Sequence, residues 1–410
     1  MTTPSFLAKT LWVSAAGALS LHWSAAVLAA SPSNEELHAI IKQQGAQIDA
    51  LTRGQAATAD AIEKGSVSGL PAWLEKTTLG GYGEMHYNNL TADGADGDGV
   101  TKDKDELDLH RFVLFVGHQF SDSVRFFSEL EVEHSLAGES KNGEVEIEQA
   151  FVEWDVRGNT SAKAGLFLLP VGILNETHEP DTFYGVERNN VEKNIIPTTW
   201  WEGGVGVSGE IVAGLSYDVA AHSGLYIDVN DGDFKVRGGR QKVSEAEAQG
   251  FAYTGRIKYT GVPGLELAAT VQHQEDVSQG DFRKAIDADL YEAHAVFQKG
   301  MFGLRALYAM WNIDGAISAV TGKAGADEQE GFYVEPSLKV CEDIGIFARY
   351  SEWDNQAGDS SVDSEFEQVD VGVNYWLSET VVLKADYQNQ SHEDDSKAFD
   401  GFNLGVGWSF

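Results

Sequence analysis

The sequence predicts an all-β fold: a 16-stranded antiparallel transmembrane β-barrel preceded by a short N-terminal helix that forms a coiled coil. Three observations carry this. From residue 78 onward, sixteen segments of roughly ten residues alternate large apolar side chains with small or polar ones. That period of two marks a strand with two unlike faces, and the length lets a tilted strand cross a bilayer. The connections between segments alternate between short and long, as they do when one end of a barrel carries tight turns and the other carries loops. Finally, the last stretch, "FNLGVGWSF" (402–410), is itself such a strand. It is placed to pair with the segment near 79–88 and close the sheet, which removes the unpaired edges that lipid could not satisfy.

Composition narrows the partners. The 410 residues hold 29 Lys and Arg against 64 Asp and Glu, a formal net charge of −35. This argues against nucleic acid, whose phosphates are bound by clustered basic charge. A single cysteine excludes an intrachain disulfide framework and a cysteine-based zinc site. Beyond the first 30 residues no run approaches the ~18–20 apolar residues of a membrane helix.

Residues 1–30 read as an export signal. Lys9 supplies the positive end, and "LWVSAAGALSLHWSAAVLAA" (11–30) is apolar and ends in small residues, which sets cleavage near Ala29 or Ala30. Residues 31–69 read as a periplasmic oligomerisation segment and linker. Within 34–65, Ile41, Ile48 and Ile62 share one heptad position and Leu37 and Leu51 share the other, a coiled-coil seam that Gln44, Gly45 and Gln55 weaken. Asn34 and Gly65 suit its start and stop. So short a helix needs partners. Residues 70–410 form the barrel domain.

The strand segments are 78–88, 108–120, 123–134, 145–156, 161–169, 202–211, 214–222, 250–259, 264–274, 289–299, 302–312, 331–340, 343–353, 366–377, 380–390 and 401–410. Seven tight turns interleave with eight long loops. One face carries aromatics near strand ends (Tyr87, Tyr217, Tyr291, Phe297, Phe302, Trp353, Tyr375, Tyr387), as the interfacial girdles of a lipid-facing surface do. The other face is too charged for a dry core, so a water-filled lumen is expected. Arg125, Glu129, Glu131, Lys163, Arg256, Lys258, Arg305, Lys339, Arg349 and Lys384 are the expected pore lining. Pro336 forfeits a ladder hydrogen bond and predicts a bulge or strand end. In "FNLGVGWSF" the small residues Asn403, Gly405, Gly407 and Ser409 are expected to face water inside.

The longest connection, 170–201, contains Glu176, Glu179, Asp181, Glu187 and Glu192 against Arg188 and Lys193. A loop this long usually has a task, and in a lumen wide enough for an aqueous channel it can fold inward as a constriction. Glu176, Glu179, Asp181, Glu187 and Arg188 are its expected pore-facing charges. Set against Arg256, Lys258 and Arg305 on the wall, they predict a transverse field. The segment "AKAGLFLLPVGILNETHEPDTFYGVERNN" (162–190) resembles the constriction region of the phosphate-selective porin O/P family, whose usual pattern is G-x-F-K-x-P-x-G. Gly165, Phe167, Pro170 and Gly172 match it. The resemblance implies a helix before a sixteen-stranded outer-membrane barrel, assembly as homotrimers and passage of solutes through the lumen. The family's lysine is replaced by Leu168, and the loop is net acidic, so the resemblance does not extend to phosphate selectivity.

The expected role is therefore an outer-membrane channel for passive diffusion of ions and small hydrophilic solutes in a Gram-negative bacterium. A structural or adhesive barrel and an outer-membrane hydrolase are the alternatives. No G-x-S-x-G or H-E-x-x-H motif supports the hydrolase, and the chain is too short for the ~22 strands and plug of an energised receptor. Partners expected are further copies of the chain, membrane lipid, and the barrel assembly machinery, for which Phe410 resembles the terminal signal. No resident cofactor is expected. Two acidic loops offer calcium-like spacing: Asp93, Asp96 and Asp98, and Asp228, Asn230, Asp231 and Asp233. Neither completes the twelve-residue calcium loop.

Overall fold

Sixteen antiparallel strands close into a barrel in the computed structural model, which describes residues 73–92, 103–228, 234–392 and 398–410. They are β1 (Thr77–Ala92), β2 (Lys104–Ser121), β3 (Val124–Glu133), β4 (Val145–Arg157), β5 (Thr160–Leu168), β6 (Trp201–Val212), β7 (Leu215–His222) and β8 (Ala252–Val262). The second half comprises β9 (Leu265–Gln274), β10 (Ala288–Lys299), β11 (Phe302–Ile313), β12 (Glu328–Lys339), β13 (Ile344–Asp354), β14 (Phe366–Ser378), β15 (Val381–His392) and β16 (Phe399–Ser409). Each pairs with its sequence neighbours, and β16 closes on β1 from Tyr82↔Ser409 to Ala92↔Phe399. Every segment expected from the sequence corresponds to one strand, with ends shifted by no more than four residues, as between 108 and Lys104. The export signal and coiled-coil segment lie outside the described residues, as do Asp93, Asp96, Asp98, Asn230, Asp231 and Asp233. Asp228 is described and exposed.

The turns 122–123, 158–159, 213–214, 263–264, 300–301, 340–343 and 379–380 hold two to four residues, and all lie at one end. The long connections lie at the other, as expected. The outward face is a continuous apolar belt: Leu79, Val205, Ile257, Val271, Phe302, Val371 and Leu404 all expose their side chains. Monomeric soluble proteins rarely leave so extended an apolar surface in water. In a membrane, lipid covers it.

Two expectations are corrected here. Trp353 is not part of the outer girdle; it points inward, is 4% exposed and stacks on Phe366. Pro336 neither bulges nor ends β12. The strand runs through it in unbroken register, opposite Leu304 of β11, while the pairs with β13 lapse at Glu335 and Pro336 and resume at Ser337↔Phe347. The missing donor is confined to one side of one strand.

The barrel interior is not uniformly aqueous. Loop 169–200 and the described parts of the next long connection, 223–228 and 234–251, fold into it and build an apolar core. Phe167, Leu169, Val171, Ile195, Ile196 and Trp200 pack there against inward side chains of β10–β13, among them Leu290, Trp311 and Tyr333. This core fills part of the lumen, and the polar and charged inward residues frame the rest.

Candidate pore constriction

Loop 169–200 leaves the nine-residue β5 part-way along the barrel and crosses the interior. Its start is fixed by the motif residues. Gly172 has φ +73°, and a Cβ there would lie 2.7 Å from a Glu192 carboxylate oxygen. Only glycine suits that conformation without strain. The following amides, Ile173 N–H and Leu174 N–H, donate to Glu192 Oε2 at 2.8 and 2.6 Å. Glu192 lies in the first turn of the short helix α1 (Val191–Asn194) and is fully buried. Its other oxygen accepts from Tyr333 Oη (2.9 Å) on β12 and from Asn189 Nδ2 (3.2 Å). Burial raises the Glu192 pKa against these opposing hydrogen bonds. Asn175 is a second hub: its amide donates to the carbonyls of Leu169 and Trp200, and its oxygen accepts from Trp200 N–H at 2.7 Å. A loop whose ends are tied to each other in this way behaves as a folded insert.

Its tip spans the lumen. Arg305 on β11, near the tight turn 300–301, donates to the Thr182 carbonyl (2.7 Å), and Trp376 Nε1 on β14 reaches the Asp181 carbonyl (3.4 Å). Ser409 of β16 donates to Asp181 Oδ1 (2.9 Å), and Val186 N–H donates to Asp386 Oδ2 on β15 (2.6 Å). The loop thus reaches the tight-turn end of the wall opposite its origin. This reassigns the small residues of the closing strand. Gly405 and Gly407 do not face open water: a Cβ on Gly407 would meet Pro180 at 2.4 Å and one on Gly405 would meet Val186 at 3.1 Å.

The five expected constriction charges all lie on this insert. Glu176 is exposed and forms a close ion pair with Arg256, which also binds Asp218 (2.8 Å). Glu179 and Asp181 are half-exposed near the tip. Glu187 meets His86 Nδ1 (3.1 Å) and Asn88 Nδ2 (3.2 Å) on β1. Burial works to raise the Glu187 pKa, but the imidazole of His86 overrides it and holds the carboxyl well below its usual range. Arg188 turns back to Thr199 Oγ1 (2.8 Å) within the loop.

The expected lining residues all project inward, but they are less free than the sequence implied. Glu129, Glu131, Arg256, Arg349 and Lys384 are buried. Arg349 binds Asp370 (3.0 Å) and Glu335 (3.2 Å), and Lys384 sits 3.5 Å over the Phe183 ring. Lys163 covers the rings of Phe167 and Phe151, and Lys339 that of Trp376. Arg125 pairs with Glu153 and Asp155, and Lys258 lies 4.0 Å from Glu266. The transverse field expected between the loop and Arg256, Lys258 and Arg305 is therefore largely neutralised in place. Two of the three wall cations already have carboxylate partners, and the third holds a loop carbonyl.

Two features escaped the sequence reading. A basic group on loop 223–251 (Lys235, Arg237, Arg240 and Lys242) lines a cleft. Arg237 and Arg240 there bind the carbonyls of Thr198 (2.7 Å) and Thr199 (2.6 Å), and Lys242 pairs with the carboxylates of Glu144 and Glu146. In sequence these four bases fall within eight residues, 235–242, with no acid between them, a run that could have announced the cleft. The second feature is a buried acid–histidine group. β4 pairs with β3 through a bulge, from Glu129↔Gln149 to Leu130↔Ile147, so the extra residue Glu148 joins the inner face. There Glu129, Glu131 and Glu148 surround His178 of the loop. No sequence rule places a bulge at that step.

Comparison with known proteins settles the family. Residues 50–396 match the Gram-negative porin family. The chain belongs to that family. An uncharacterised protein of Aquifex aeolicus (strain VF5) is 29% identical over 365 residues, covering 81% of this chain and 80% of that protein. Among solved structures, the anion-selective porin from Comamonas acidovorans superposes with a TM-score of 0.56 at 14% identity, over 82% of this chain and 99% of that one. Salmonella typhi OmpF gives 0.56 at 14% identity over 82% and 97% of the two chains. The outer membrane channel DcaP of Acinetobacter baumannii gives 0.55 at 15% identity, again over 82% and 97%. At these identities the structures share the fold. Family, closed barrel and apolar belt together make this protein an outer-membrane porin, a channel for passive diffusion.

Proposed function

We propose that loop 170–201 is the constriction of this porin and that the passage beside it admits ions and small hydrophilic solutes with weak selectivity. The observation that supports this most is the reach of the insert, from β5 to Arg305, Trp376 and Ser409 at the tight-turn end. Phosphate-specific transport of the kind the motif resembles is not part of the proposal. Leu168 stands where that family has a lysine and is 5% exposed. Lys163 on β5 and Lys384 on β15 are held over aromatic rings rather than presented to solutes. Glu179 and Asp181 remain half-exposed, so the tip favours cations. Replacing Glu176, Glu179 and Asp181 with their amides removes tip charge and releases Arg256 from one partner. The reversal potential of the triple variant across a salt gradient in planar bilayers should shift toward anions; an unchanged potential would remove this loop as the filter.

We further infer a homotrimer held in part by residues 31–69, export directed by residues 1–30, insertion through the terminal Phe410, and no catalytic chemistry. These rest on the heptad seam, the apolar leader and the aromatic end of β16. Removing residues 31–69 from the mature chain should lower the oligomer mass in detergent without loss of conductance.

A further inference from the structure

We propose that Glu129, Glu148 and His178 form a site for a divalent transition metal of the zinc type, which fastens the inward loop to the barrel wall. The three residues come from separate elements: β3, the bulge of β4, and the loop tip. They are 1%, 2% and 3% exposed. Their ligand atoms lie within 4.8 Å of one another.

The argument starts from unmet valence. Glu129 Oε1, Glu148 Oε2 and His178 Nε2 are each buried without a hydrogen-bond partner. A buried polar atom left so is destabilising, and here three converge on one point. The histidine tautomer sharpens this. His178 Nδ1 lies 3.2 Å from the Asn175 carbonyl, which can only accept, so Nδ1 carries the proton. In the neutral ring Nε2 is then a lone pair aimed at two carboxylate oxygens. Its distances to them are 3.6 and 3.5 Å, too long for hydrogen bonds. They match the spacing of about 3.3–3.6 Å between neighbouring ligands at tetrahedral angles around zinc at about 2.0–2.2 Å.

The surroundings fit such a site. A metal-bound histidine usually donates its other N–H to a carbonyl or carboxylate, as His178 does to Asn175, itself fixed by three hydrogen bonds. Glu129 is oriented by Gln149, which donates to Oε2 at 2.7 Å and leaves Oε1 free. Mixed imidazole and carboxylate donors suit zinc-type ions better than calcium or magnesium. The fourth position is left to water or to Glu131, whose Oε2 is also unpartnered. Arg111 is the guanidinium alongside: its Nε is committed to Glu84 and its Nη2 to the His178 carbonyl, while its Nη1 is unpartnered and adds positive charge beside the carboxylates without meeting any of the three ligand atoms. A proton on Nε2 is the competing occupant.

The test uses the full-length porin extracted in detergent, stripped with chelator and titrated with zinc chloride. Wild type should hold one more zinc per chain than Glu148→Gln and His178→Gln, with all three still running as folded, heat-modifiable bands. Equal uptake by wild type and both variants would overturn the proposal. The difference isolates this site from the histidine–carboxylate groups around His110, whose members already hydrogen-bond one another. Should the variants fail to insert, crystals of the unmodified porin grown with equimolar zinc decide the matter. An anomalous peak between Glu129, Glu148 and His178 is expected, and its absence rejects the site.

Discussion

Gly407 shows how a residue on the wall can be chosen by a loop more than two hundred positions away. Its missing side chain is the space that Pro180 occupies. Gly407→Val forces atoms into a filled site, an overpacking cost of about 1–3 kcal/mol, and the loop tip is the part that can yield. Single-channel traces of this variant should be noisier than wild type, with the barrel still heat-modifiable. Glu192 makes the complementary case. Glu192→Ala removes the acceptor of the Ile173 and Leu174 amides and of Tyr333, at about 1–3 kcal/mol for each buried group left unpaired. The variant should unfold at lower temperature than wild type by circular dichroism, by a margin larger than that of Glu179→Ala at the half-exposed tip. Neither role was legible in the sequence. Gly407 read as a small residue facing water, and Glu192 as one more acid in an acidic loop, because alternation reports that two faces differ but not what each face meets.

At the scale of the element, the inward loop is held to β1 by a titratable contact. Glu187 has a folded pKa well below its ordinary 4.5, with burial opposing and the His86 imidazole prevailing. The sign follows from linkage. A carboxyl with a depressed folded pKa adds stability at pH above 4.5, and that stability is lost as pH falls through the lowered value. Arg349 Nη2 also reaches the Glu187 carbonyl at 3.5 Å and does not titrate in this range. Acidification should therefore loosen this contact, seen as channel flicker that is absent at neutral pH. Glu187→Gln should show no further acid response; an unaltered response would place the switch elsewhere. The strands themselves were the most legible elements, since a ten-residue period-two segment has few alternative folds. Trp353 was assigned to the wrong face because aromatic residues near strand ends suit both a lipid girdle and a lumen core. Glu148 was missed because a bulge changes facing without changing composition.

Across the whole molecule, the alternation of tight turns and long loops specified both the closed barrel and its sidedness, and the structure reproduces both. Closure is completed inside as well as by the ladder: Asn88 Nδ2 on β1 donates to Asn403 Oδ1 on β16 at 2.7 Å, and Asn403 donates in turn to Asp386 at 2.8 Å. The degree to which the lumen is filled was not legible. Inward charge predicted water, whereas the fold answers much of that charge with ion pairs and packs an apolar insert beside it. On the proposed function, what remains open is set by loop 169–200. Its most direct test is the single-channel conductance of a variant in which residues 176–186 are replaced by a short Gly-Ser link, leaving the hubs at Asn175 and Glu192 intact. Conductance well above wild type is predicted, because the tip that spans the lumen is gone. A conductance equal to wild type, from a barrel shown to be folded, would contradict the account.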